Sequence, residues 1–235
     1  MYKGIYIALS GALLKQRHMD IFAQNMANAN TTGFKKERIS FQDFLIPIDN
    51  NPGMVDDGRA MSELSTVITD FSPGNLIRTG NSLDVAINGE GFIALEGNKY
   101  TRNGSFKVSE EGYLVTHDGI KVLGSGGPIG IEGSKVDISS SGEIFVDDIS
   151  VGTLKIVDFD DKGVLSKLSG GVYSTEEAAD QVDAKVSQGF IEGSNVEVLR
   201  EMVNMINALR EFEAYQKMIR TFDEAASTTT NDLTR

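Results

Sequence analysis

Four patterns in the sequence are candidates for chemistry. Gly89-Glu90-Gly91-Phe92-Ile93-Ala94 fits the G-x-G-x-x-A dinucleotide pattern, in which glycines let the backbone approach a pyrophosphate at a helix N-terminus. Strand-like residues and then Glu96-Gly97-Asn98 follow here in place of a helix, so the segment reads as a turn. Asp158-Phe159-Asp160-Asp161-Lys162-Gly163 has the outline of a calcium loop. Lys162 stands at its fifth position and Ser169 at its twelfth, which sets a cation against a cation and removes the bidentate glutamate. A hairpin loop is expected instead. The carboxylate pairs Glu110-Glu111, Asp56-Asp57 and Asp147-Asp148 could serve glycoside hydrolysis, but each is adjacent in sequence and beside turn residues, as in solvated loops. His18 falls in a helical stretch and His117 beside a turn, which suits neither a metal site nor a catalytic triad. No nucleophile, base and oxyanion hole occur together. The expectation is a protein that is not an enzyme and has no cofactor and no metal.

Composition narrows the remaining classes. The 235 residues carry a formal charge of −12, which argues against duplex nucleic acid as the main partner, because phosphate binding needs a concentrated cationic face. The absence of cysteine removes disulfides, zinc–thiolate sites, iron–sulfur clusters and thiol nucleophiles together. An apolar fraction of 40% and a charged fraction of 24% are those of a globular chain. The charge is uneven: Lys3, Lys15, Arg17, Lys35, Lys36 and Arg38 face only Asp20 and Glu37 in residues 1–40, while the middle of the chain is strongly acidic. No apolar run reaches about 18 residues, so no membrane insertion is expected. Ile5 to Leu14 behind Lys3 imitates a secretory signal, but Lys15-Gln16-Arg17 stands where a cleavage site belongs, so no cleaved signal is expected.

The elements that would position any site fall into three regions. From Tyr2 to about Asn30, Ile5, Leu9, Ala12, Gln16, Met19, Ala23 and Met26 recur with alternating gaps of four and three, a heptad stripe that Leu13 and Phe22 widen. Asn28, Asn30, Thr31, Thr32 and Gly33 then stop the helix, with Gly33 as a left-handed terminator. At the other end, Ser194-Asn195-Val196-Glu197 reads as a capping box. Val198, Met202, Met205, Leu209, Phe212, Gln216 and Ile219 step by four and three up to about Ala226, where Ser227 to Thr230 ends the helix. A second line, Val196, Leu199, Val203 and Ile206, widens this stripe.

Between the helices, short apolar runs alternate with turn pairs. Leu83-Asp84-Val85-Ala86-Ile87, Gly91-Phe92-Ile93-Ala94-Leu95, Tyr113-Leu114-Val115 and Leu154-Lys155-Ile156-Val157 have strand composition, and Asn88-Gly89, Asn103-Gly104 and Asp118-Gly119 suit two-residue hairpins. The fold class expected is a mainly β central domain, antiparallel and hairpin-rich, with long N- and C-terminal helices forming a coiled-coil stalk. The divisions are an N-terminal helix over 1–33, an extended connector over 34–73, an all-β core over 74–189 and a C-terminal helix over 190–235. Two long stripes at opposite chain ends have each other as natural partners, and further copies would bury the wide arcs better.

Ala8-Leu9-Ser10-Gly11-Ala12 with Asn25-Met26-Ala27-Asn28-Ala29-Asn30-Thr31-Thr32-Gly33-Phe34-Lys35 resembles the N-terminal signature of bacterial flagellar basal-body rod and hook proteins. Asp84 to Phe92 with Tyr100-Thr101-Arg102-Asn103-Gly104-Ser105-Phe106 is similar to the β core of that family. Glu192-Gly193-Ser194-Asn195-Val196, Glu201 to Ile206 and Thr221-Phe222-Asp223-Glu224 resemble its C-terminal helix. The three motifs occur in order and span nearly the whole chain. The resemblance implies an axial structural protein whose terminal helices line the inside of a tubular rod, with the β domain outside. It implies copies of itself and other rod and hook proteins as partners, export through the flagellar type III apparatus without a cleaved signal, and a periplasm-spanning location. By the same resemblance Asn25, Asn28, Asn30, Gly33 and Phe34 form the helix exit and the joint between subunits, while Met202, Met205, Leu209 and Phe212 face the seam. Ile5, Leu9, Ala12, Met19, Ala23, Met26, Val198 and Ile219 complete the expected assembly interface. The hook protein carries large outer domains for which there is no room. Phe44 to Gly74 is short for the extra segment of the distal-rod type, so the likeness is nearer the proximal-rod type, with the distal-rod type or a subunit at the rod–hook junction as alternative. The rival from another class is a helically dimerised β-domain enzyme or carbohydrate-binding module.

Overall fold

The computed structural model describes residues 2–45 and 60–232, with side chains over 4–40 and 67–225. The chain forms two compact units. Residues 1–27, 37–69 and 197–235 make a helical unit, and residues 28–36 and 70–196 make a β unit.

The helical unit rests on α1 (Tyr2–Ala27) and α2 (Val198–Asp232), which at 1.5 Å per residue are rods of roughly 40 and 50 Å. The two pair antiparallel. A Cβ on Gly4 would meet the ring of Phe222, one on Gly11 would lie 2.6 Å from the ring of Tyr215, Lys15 forms an ion pair with Glu211, and Asn25 bonds to Glu201. Equal steps forward along α1 and back along α2 therefore keep the pairing. The glycines act as notches for aromatic rings, and Ala8, Ala12 and Ala208, all buried, let the backbones approach closely.

Helix boundaries differ from the sequence reading at three ends. α1 stops at Ala27, and the following turn is closed by the Thr31 N–H on the Asn28 carbonyl at 3.1 Å. Gly33, at φ 67, lies beyond that turn and does not terminate the helix. The capping box is absent: the Ser194 hydroxyl accepts from the Val196 N–H two residues on, which is a local turn, and Glu197 pairs with Arg200. α2 runs through Ser227 to Thr230 without a break and reaches Asp232. The expected irregular connector holds a two-stranded antiparallel ribbon, β1 (Glu37–Leu45) with β2 (Ala60–Thr69), whose register shifts between Ser40 and Phe41. The remainder of that connector, 46–59, lies outside the described residues.

The β unit is antiparallel in every described strand pair. Its six-stranded sheet runs in the order Ser166–Lys167, Val172–Ser174, Lys99–Thr101, Phe92–Leu95, Ile156–Asp158, Asp180–Gln181. All four residues of Phe92–Leu95 are buried because both faces of the sheet are covered, which explains a continuous apolar run in an antiparallel strand. Ile93 and Leu95 join an aliphatic cluster with Leu114, Ile144, Ile156 and Val172. Phe92 and Ala94, pointing the other way, join Tyr100, Val157, Phe159 and Tyr173. Asn88-Gly89 does not close a hairpin: Val85–Asn88 pairs with Lys185–Gln188 across the chain, and the glycines carry the backbone into the next sheet. Hairpins form at Glu96-Gly97-Asn98 and at Asp147-Asp148, whose φ values of 49° and 64° make the tight turn. The Asp147 carboxylate accepts from the N–H groups of Ser134 and Lys135, so this carboxylate pair is a structural corner.

Gly104 packs so closely that an added Cβ would lie 1.6 Å from the Val85 carbonyl oxygen. Gly104→Ala is expected to cost more than about 3 kcal/mol in chemical denaturation. Gly126→Ala, where a Cβ meets nothing within 4 Å, should stay within about 0.5 kcal/mol.

Candidate assembly surface

The helix pair buries a stripe one step round from the one expected. At seven-residue intervals it is Gly4, Gly11, His18 and Asn25 on α1 that face α2, and Glu201, Ala208, Tyr215 and Phe222 that face α1. Of the expected interface, Ala12 is buried, and Ile5, Met19, Met26, Met205, Phe212 and Ile219 are half-buried. Leu9, Ala23, Val198, Met202 and Leu209 are exposed. Apolar periodicity does not single out the glycines and the histidine of this contact line. The signal available was size: small residues in the first half of α1, aromatics in the second half of α2.

The line turned away from this contact is strongly apolar. Tyr6 is 70% exposed, Ile7 67%, Leu13 57% and Leu199 80%. On α2, Val203 and Ile206 are exposed as well. Exposed apolar groups of this kind are candidate interaction sites.

Asn25, 1% exposed, ties the helical unit together. Its amide nitrogen donates to the Glu37 carbonyl and its amide oxygen accepts from the Glu37 N–H, both at 2.9 Å, so the side chain pairs with β1 as a strand neighbour would. The same nitrogen donates to the Glu201 carboxylate at 3.2 Å. Expected at a joint between subunits, Asn25 is engaged within its own chain. Asn28 is half-buried and Asn30 exposed, while Gly33 and Phe34 are buried in the β unit. The Lys167 ammonium lies 3.9 Å from the centroid of the Phe34 ring.

Gly33 to Lys36 dock into a charged clasp. The Glu192 carboxylate accepts from the Lys35 ammonium at 2.6 Å and from the Gly74 N–H at 2.8 Å, and its other oxygen lies 3.4 Å from the Arg102 guanidinium. Lys35 also donates to the Ser72 carbonyl, and the Gly33 N–H to the Glu192 carbonyl at 2.7 Å. Lys35, Arg102 and Glu192 are all buried. Burial pushes the Lys35 ammonium below its ordinary range while Glu192 draws it back, and burial acts likewise on Arg102. Asn195 completes the clasp, accepting from the Lys36 N–H at 2.8 Å and donating to the Asp70 carbonyl at 2.8 Å. Each of the three sequence motifs supplies part of this cluster: Gly33 and Lys35 from the first, Arg102 from the second, Glu192 and Asn195 from the third.

A cleft of about 330 Å³ in the β unit is lined by Arg78, Asn81, Asp137, Gln188 and Phe190 among others, with Asp137 its one carboxylate. Lys162, at the fifth position of the calcium-like loop, forms ion pairs with Glu90 and Asp158. Among the described residues no His, Asp and Glu group could hold a metal, and no helix is long and apolar enough to cross a membrane.

Three family models match the chain in order: "Flagella basal body rod protein" over residues 5–35, "Flagellar hook protein FlgE/F/G D1 domain" over 86–146, and "Flagellar basal body rod FlgEFG protein C-terminal" over 187–233. The chain is 31% identical to the flagellar basal-body rod protein FlgG of Agrobacterium fabrum, covering 98% of this chain and 99% of that one. It is 34% identical to the rod protein FlgF of Caulobacter vibrioides over 93% of each chain. It is 32% identical to FlgG of Bacillus subtilis over 95% of this chain and 96% of that one. Relatives of both types align at similar identity.

Two predictions follow from the helical unit. Asn25→Ala leaves both Glu37 backbone groups without their partner and should cost about 3 kcal/mol in denaturation. Asn25→Asp, equal in size, should be no better, since it sets a carboxylate against Glu201. The His18 imidazole titrates below its ordinary value of 6.5, chiefly through burial, with repulsion from Lys15 added and Glu211 opposing. The folded chain therefore binds fewer protons than the unfolded one below that value. This contribution to stability is complete above pH 6.5 and lost as the pH falls toward the lowered value. Melting at about pH 7.5 and about pH 5 should show a smaller acid-induced loss in His18→Gln than in the parent.

Proposed function

The chain belongs to the flagellar basal-body rod protein family, and from that premise we propose that it is a structural subunit of the rod that assembles with itself and with other axial proteins through the open face of its helix pair. The observation that carries the reading is two groups of exposed apolar side chains, Tyr6, Ile7, Leu9 and Leu13 near the start of α1 and Leu199, Met202, Val203 and Ile206 near the start of α2. Each such side chain forgoes about 1.5–3 kcal/mol that burial would supply, so neighbouring subunits have a large driving force to cover it. Subunits related by rotation and translation make heterologous contacts, which extend as a filament and do not close on themselves. Torque then passes from copy to copy through packed helices.

Of the interface drawn from the sequence, Leu9, Ala23, Val198, Met202 and Leu209 are exposed, which supports a role in meeting a neighbour, while Ile5, Met19, Met26, Met205, Phe212 and Ile219 are half-buried and Ala12 is buried. Methionine at Met202 and Met218 suits contacts with non-identical neighbours, because its flexible thioether adapts to differing surfaces. A rod subunit of this kind works in the periplasm-spanning part of the basal body, reached through the flagellar export apparatus. Both the proximal and the distal rod are places such a chain can occupy.

Leu199→Glu combined with Val203→Glu should leave the helix content and melting of the isolated chain unchanged within about 1 kcal/mol, since neither side chain is buried. The same variant, mixed with candidate neighbouring rod proteins, should fail to form the rods that the parent forms by electron microscopy. It should also fail to restore swimming to a deletion strain. Normal rods and swimming from this variant would count against the open face as the contact.

A further inference from the structure

Three segments far apart in sequence meet around one carboxylate. Lys35 follows α1, Gly74 and Arg102 belong to the body of the β unit, and Glu192 precedes α2. Among the described residues Glu192 is the one carboxylate within ion-pair distance of both buried cations, at 2.6 Å from Lys35 and 3.4 Å from Arg102. Glu192 makes the largest charge contribution to each, with smaller ones from Asp70 to Lys35 and from Asp158 and Glu90 to Arg102. We propose that Glu192 is a latch: residues 28–36 dock on the β unit only once the segment 190–196 is in place to neutralise Lys35 and Arg102.

The physical reason is the cost of a dry, uncompensated charge. An ion buried without its partner destabilises far more than an intact pair stabilises, and here one missing carboxylate would strand two cations in the same space. Several of the backbone contacts that hold residues 33–36 depend on the same segment, while the Asp70 N–H donates to the Lys36 carbonyl at 2.9 Å and the Lys167 ammonium to the Lys35 carbonyl at 3.1 Å. The Gly33 N–H donates to the Glu192 carbonyl, the Lys36 N–H to the Asn195 side chain, and the Asn195 N–H to the Phe34 carbonyl at 3.4 Å. The apolar clusters of the β unit need none of this, since Ile93 and Leu114 pack within one and Phe92 and Val157 within the other. The β unit therefore has a core that forms on its own and a clasp that waits for residues near the end of the chain. Synthesis delivers those residues last, so the exit of α1 stays undocked until the segment that leads into α2 arrives. The latch is a property of the isolated chain and stands apart from rod assembly.

Amide hydrogen exchange on the full-length chain tests it, using Glu192→Gln, Lys35→Met and the double variant. In Glu192→Gln the amides of Gly33, Lys36 and Gly74 should exchange about tenfold faster or more, while Ala94 and Leu114 in the core change by less than about twofold. Adding Lys35→Met to Glu192→Gln should slow exchange at Gly33 and Lys36 again, because one stranded cation is gone. Lost packing alone would make the double variant worse. Unchanged exchange at Gly33 and Lys36 in Glu192→Gln would overturn the latch, as would a double variant more open than the single. Equal loss of protection at Ala94 and Gly33 would also overturn it, since the carboxylate would then belong to the core.

Discussion

A buried charge has to be answered where it lies, and in this chain two cations are answered by one carboxylate. Lys35 and Arg102 come from segments 67 residues apart in sequence, and Glu192 from a third segment far beyond both. Removing such ions from water costs several kcal/mol each, and the cost is offset only when the geometry is closely fixed. That requirement selects one placement for the segment after α1 and one for the segment before α2. The clasp thus contributes specificity more than net stability, while the apolar clusters supply most of the stability.

The helical unit uses a different means to the same end. Two helices closed only by aliphatic stripes could slide by a turn without much penalty. Glycine notches filled by Phe222 and Tyr215 penalise a slip, because a ring displaced from its notch meets a larger side chain. The Lys15–Glu211 pair and the Asn25 hydrogen bonds add further points that a slipped register would break. Once the register is fixed, the apolar residues outside the contact have fixed places on each helix. A subunit of a filament needs such fixed surfaces, since its neighbours must find the same surface on every copy.

Much of this was legible without coordinates. The long helices showed in their heptad spacing, and the strands Val85–Asn88, Phe92–Leu95 and Ile156–Asp158 in short apolar runs bounded by turns. The motifs that carry the family likeness include Lys35, Arg102, Glu192 and Asn195, though nothing in their spacing gave these residues a role. The β1–β2 ribbon escaped because its apolar residues follow no sustained alternation. The turn at Asn88-Gly89 was misplaced because a dipeptide reports a local bend and says nothing of which distant strand will pair with the one before it.

Periodicity, composition and turn chemistry are local properties, so the sequence by itself determined the two helices, the β texture between them, the missing cysteine chemistry and the membership of the rod family. Which face of each helix turns inward depended on the size match between Gly4, Gly11 and the rings of Phe222 and Tyr215, residues about two hundred positions apart. The partner of Lys35 depended on a chain path that returns Glu192 to it. Only tertiary structure decides such matters, because shape complementarity and charge compensation are relations between groups that the order of the residues does not bring together.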